Sequence, residues 1–130
     1  MLRRKAYQNL LDWKNETKGK ALCIIGARQI GKTTLIREFG KREYKYFAEI
    51  NFVTDPRAAD IFRGKLSAEE IIINLTAYLQ KPLERGKTLI LFDEIQECPE
   101  DRAAIKFLVE DGRFDYIESG SLLGVRYKEV

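Results

Sequence analysis

Lys32, Thr33 and Thr34 close a run, Gly26-Ala27-Arg28-Gln29-Ile30-Gly31-Lys32-Thr33-Thr34, that fits the phosphate-loop pattern G-x-x-x-x-G-K-[ST] without a mismatch. The chemistry of that pattern is the cradling of a phosphate chain. Two glycines let the backbone curl so that its N–H groups point inward, and the helix that follows adds the positive end of its dipole. Lys32 then neutralises the outer phosphates, Thr33 supplies the hydroxyl that the pattern assigns to Mg²⁺, and Thr34 is placed to donate to an inner phosphate oxygen. At average residue frequencies the pattern arises by chance in roughly one chain in a few hundred of this length, so it points to nucleotide binding.

A second constellation lies downstream. Thr88-Leu89-Ile90-Leu91-Phe92 is a continuous apolar run ending in two carboxylates, Asp93 and Glu94, and reads as a Walker B strand. A run without polar alternation suits a parallel strand buried on both faces, whose carboxyl end is where open α/β sheets place ligands. Asp93 is expected beside the loop, holding Mg²⁺ through a water. Glu94, one residue further out, is expected to activate the attacking water.

The elements that must position these residues follow from the apolar spacing. An amphipathic helix is predicted from about Arg4 to Glu16, with Tyr7, Leu10 and Leu11 on one face, ended by Thr17-Lys18-Gly19-Lys20. Strand 1 covers Ala21 to Ile25, and the loop opens a helix from Lys32 to about Arg42 that turns Leu35, Ile36 and Phe39 to the sheet. Strand 2 runs from Tyr46 to Phe52, and Thr54-Asp55-Pro56-Arg57 is a breaker. Ser67 and the glutamates after it start a helix that reaches Gln80. Strand 3 is the acidic-ended run, Pro99 begins a helix that stops near Gly112, and strand 4 is Tyr116 to Ser119. Strands alternating with helices mean a parallel sheet built from right-handed crossovers, hence an α/β P-loop domain.

Composition narrows the chemistry further. With 130 residues, 45% of them hydrophobic, the chain builds one core and one domain, residues 1–19 forming its leading helix and linker. Histidine is absent, which removes the commonest general base and zinc ligand and leaves catalysis to carboxylates, Lys and Arg. Cys23 and Cys98 lack metal-ligand spacing and read as free thiols. No apolar span of membrane length or signal-peptide core occurs, so a cytoplasmic location and no membrane partner are expected. The net charge of +3 is modest and its basic residues are spread out, so nucleic-acid binding is unsupported.

The chain also resembles the prokaryotic AAA-like P-loop ATPases that carry a separate C-terminal domain of unknown function. The likeness rests on Leu10-Leu11-Asp12-Trp13-Lys14, the phosphate loop, Phe92-Asp93-Glu94-Ile95-Gln96 and Gly120-Ser121-Leu122-Leu123. The resemblance implies a three-layer sandwich in which strand 4 lies between strands 1 and 3, and it gives Ser119 or Ser121 a sensor role toward the γ-phosphate or the attacking water. Such proteins continue well beyond Val130, so this sequence reads as their N-terminal ATPase part, truncated before the last core strand. Strand 1 is then left at a sheet edge, where self-association or a fold-back of Leu122 to Val130 is expected.

The function expected from these residues is Mg²⁺-dependent ATP hydrolysis, slow for the fragment alone. A kinase of the same fold and a nucleotide-gated interaction module without turnover are the alternatives. No N-K-x-D-like guanine motif occurs, and Arg102, Arg113 and Arg126 are arginine-finger candidates that belong to no diagnostic motif.

Overall fold

Four strands, all parallel, form the middle layer of the protein in a computed structural model that describes residues 2–16, 21–26, 30–64, 67–95 and 99–121. Side chains are described over 4–16, 21–22, 33–64, 67–95 and 104–120. The elements in chain order are α1 (Leu2–Glu16), β1 (Ala21–Gly26), α2 (Ile30–Glu43), β2 (Tyr46–Asn51), a 3₁₀ segment (Pro56–Phe62), α3 (Ala68–Leu79), β3 (Thr88–Asp93), α4 (Pro99–Asp111) and β4 (Asp115–Ser121). The sheet order is β1-β4-β3-β2, so β4 lies between the loop-bearing strand and the acidic-ended strand as the resemblance implied. Among the described residues β1 and β2 are the two edges.

Strand alternation divides the core into two halves. Leu89, Leu91 and Ile117 face α1 and α2, where they pack with Leu10, Trp13, Ile36 and Phe39. Ile90, Phe92 and Tyr116 face the other way, against Ile71 and Leu75 of α3, Ile105 and Leu108 of α4, and Ile61 and Phe62 of the 3₁₀ segment. Phe92 and Tyr116 stack across the β3–β4 pair with ring centroids 5.9 Å apart. Helices on both faces explain the apolar run Leu89 to Phe92 of β3, since every residue of the strand is buried.

The element boundaries differ from the sequence reading by at most two residues, with one substantive exception. The supposed breaker at Thr54 to Arg57 leads into the 3₁₀ segment, with Asp55 capping the Arg57 N–H and Pro56 in the first turn. Proline begins helical turns as readily as it ends them, because its missing N–H is an orphan there. Ala58, Ile61 and Phe62 of this segment are buried, so it closes one side of the core. The cap on α3 is where it was expected, Ser67 accepting from the Glu70 N–H. The linker 17–20, Cys98 and residues 122–130, including the anticipated fold-back, lie outside the described residues.

Candidate nucleotide site

Asp93 ends β3, and strand alternation turns its side chain to the same face as Leu89 and Leu91, the face covered by α2. It is 7% exposed, and both carboxylate oxygens are engaged. Ser119 Oγ donates to Oδ1 at 2.6 Å, and Asn51 Nδ2 donates to Oδ2 at 3.2 Å. The sheet register brings about both bonds, since Asp93 is paired with Asn51 on β2 and with Ser119 on β4. Three consecutive strands therefore converge on one carboxylate at the carboxyl end of the sheet, where parallel sheets place ligands.

The loop side of the site is carried by β1 and α2. Gly26, the first residue of the phosphate-loop pattern, ends β1 in register with Ser121 of β4. The pattern resumes at Ile30, Gly31 and Lys32, which lie in the first turn of α2, so the loop is followed by a helix N-terminus. Thr33 is half-buried and Thr34 exposed in that turn. Ala27, Arg28 and Gln29, and the side chains of Ile30, Lys32 and Ser121, lie outside the described residues. Ser119 is thus brought directly onto Asp93, whereas Ser121 is placed by register beside the loop strand.

Glu94 follows β3 with a φ of +59°, the left-handed region that costs a side-chain-bearing residue about 1–2 kcal/mol. Its side chain is half-buried. The left-handed turn ends the strand at Asp93, so strand alternation no longer sets the direction of the Glu94 side chain. Backbone strain at such a position is characteristic of functional sites, where surrounding packing holds it in place.

Arg37, one helical turn beyond Thr33, forms a two-pronged bond with Glu49 of β2 at 2.6 and 2.8 Å. Its guanidinium is held above its ordinary range by that bond first, against partial burial, with the charges of Glu49 and Asp93 adding to the rise. Arg113 stands before β4, at the opposite end of that strand from Ser119, paired with Glu69 at 2.8 Å and Asp111 at 3.2 Å. Those ion pairs hold its guanidinium among Glu69 and Asp111. The side chain of Arg102 and all of Arg126 lie outside the described residues.

The donor set suits a hard cation. One carboxylate and one threonine hydroxyl are oxygen ligands of the kind Mg²⁺ takes when phosphates and water complete its shell. Among the described residues no cluster of three or more His, Cys, Asp or Glu side chains is arranged to hold a metal alone. Asn51 is the site residue that the sequence reading passed over. Its signal was a polar residue at the carboxyl end of strand 2, next to an expected ligand position.

No helix among the described residues is long and apolar enough to cross a membrane. No curated protein matches the chain. A family model for the AAA domain does match, over residues 18–130, which takes in all four strands, the loop pattern, Asp93, Glu94 and both serines. Sheet order, loop placement and this match agree, and the chain belongs to the AAA domain family, of the nucleotide-binding ATPase type.

Proposed function

We propose that this domain binds ATP with Mg²⁺ and hydrolyses it at the carboxyl end of the sheet. The observation that carries the reading is Asp93, a nearly buried carboxylate gripped from both neighbouring strands on the face of the phosphate-loop helix. Gly26 to Thr34 would cradle the phosphates through backbone N–H groups, with Lys32 against the outer ones. Thr33 and Asp93 would hold Mg²⁺, the latter through a water; when bound, the ion neutralises charge on the phosphate oxygens.

Glu94 would take a proton from the attacking water as its oxygen bonds to the γ-phosphorus. The bond from that phosphorus to the bridging oxygen breaks, leaving ADP and inorganic phosphate. Ser119 spends its hydroxyl hydrogen on Asp93, so its remaining lone pairs are suited to accept from the attacking water. Ser121, in register with Gly26, would serve the γ-phosphate. Equilibrium titration of ATP with Mg²⁺ and with a chelator, on wild type, Lys32→Ala and Asp93→Asn, tests the reading. Lys32→Ala abolishes binding, and Asp93→Asn loses only the Mg²⁺-dependent part. Wild-type affinity in Lys32→Ala overturns it.

A further inference from the structure

Asn51 has two jobs that its amide divides between its two ends. Oδ1 accepts from the backbone N–H groups of Val53 and Thr54, at 2.8 and 2.9 Å. Those two bonds orient the amide plane and leave Nδ2, the only donor on this side chain, to reach Asp93 Oδ2. The backbone repeats the connection, since Phe52 N–H donates to the Asp93 carbonyl at 3.1 Å and extends the β2–β3 ladder past its last register pair.

A carboxylate held by one donor still swings about its last torsion, because that rotation is broad. With Ser119 on one oxygen and Asn51 on the other, Asp93 has a single orientation, and each oxygen keeps a lone pair for a cation or its water. We infer that Asn51 is a positioning residue that presets Asp93 for Mg²⁺, coupling the loop after β2 to the metal side of the site. The inference rests on the nucleotide reading above and adds a residue and a physical role to it.

The test uses the full chain, a fluorescent ATP analogue and two variants. Asn51→Ala removes both the Oδ1 acceptor and the Nδ2 donor. Asn51→Ser keeps an oxygen that accepts from the loop N–H groups, as serine does in such turns, but is too short to span to Asp93. Both variants are expected to raise the Mg²⁺ concentration for half-maximal nucleotide binding by about ten-fold, the usual effect of losing a residue that orients a ligand. Affinity in chelator stays at the wild-type value, and Asn51→Ser keeps the wild-type melting temperature. An unmoved Mg²⁺ midpoint in both variants, beside a wild type that binds Mg·ATP, overturns this inference alone. A shift in Asn51→Ala that Asn51→Ser fully restores, or failure of both to fold, assigns the residue to loop structure and also overturns it. A wild type that binds no nucleotide overturns the reading of the site and takes this inference with it.

Discussion

Glu94 sits in left-handed backbone directly after a carboxylate locked by two bonds, and the two acidic residues are thereby set in different environments. Replacing Glu94 by Gln keeps shape and backbone and removes basicity. We expect Glu94→Gln to bind Mg·ATP like wild type and to release phosphate at least about a hundred-fold more slowly in single turnover. Unchanged hydrolysis would take the base role away from Glu94, and lost binding would make it structural. At this scale the sequence was informative wherever a motif ties residue types to fixed spacing, as in Gly26 to Thr34 and Asp93-Glu94. Asn51 escaped because it lay inside the expected strand 2 as one polar residue among several, in no motif of fixed spacing. Its reach to Asp93 depends on the β2–β3 register, which joins residues far apart in the chain.

At the scale of elements, α2 and β2 meet through a glycine near the end of the helix. Gly40 is buried, and a Cβ placed on it would overlap the Phe47 ring of β2. Alanine is the better helix former by about 1 kcal/mol. Even so, Gly40→Ala is expected to destabilise the protein by about 1–3 kcal/mol through overpacking. In a Phe47→Ala background the same change becomes neutral or stabilising, and a double-mutant cycle from urea unfolding measures the reversal.

A second element-level contact joins the 3₁₀ segment to α3. Tyr78 Oη donates to Asp55 Oδ2 at 2.5 Å, and burial first, then this bond, pushes the phenol up to about 12. The folded state thus binds the proton more tightly than an unfolded tyrosine of pKa about 10. Stability from this group is complete below pH 10 and is lost as pH rises from there toward about 12. Tyr44, buried and bonded to Asp115 at 2.5 Å, is pushed up for the same reasons and adds to the alkaline loss. Urea midpoints at pH 9 and pH 11.5 are expected to fall less in Tyr78→Phe than in wild type. The main helices and strands were legible from apolar periodicity, capping Ser67 and the glycine at position 112. The 3₁₀ segment was not, because Pro56 is compatible with both a stop and a start, and burial of Ile61 and Phe62 decides which.

For the whole molecule the strand order is the decisive quantity. Local pattern cannot supply it, since β1-β4-β3-β2 obeys the same crossover rules as several alternatives. It was legible through the family resemblance, and the register of Asp93 with Ser119 agrees with it. Among the described residues, β1 has a strand on one side only. We propose that its other side pairs with a second copy of the chain, and light scattering is expected to show mass rising with concentration. A mass fixed at that of one chain across the concentration series excludes edge pairing between copies.

The place of β4 in the sheet also sets the order in which a growing chain becomes structured. Synthesis proceeds from the N-terminus, so β1 and the phosphate loop emerge early, while Ala21 waits for Tyr116 before it has a strand beside it. β2 and β3 are adjacent in both sequence and sheet, whereas β4 must enter between β1 and β3. Of the four described strands, the one that leads into the loop pattern is thus made first and paired only by the fourth. Until Asp115 to Ser121 have been added, the apolar strand that leads into the loop pattern has none of the other described strands beside it.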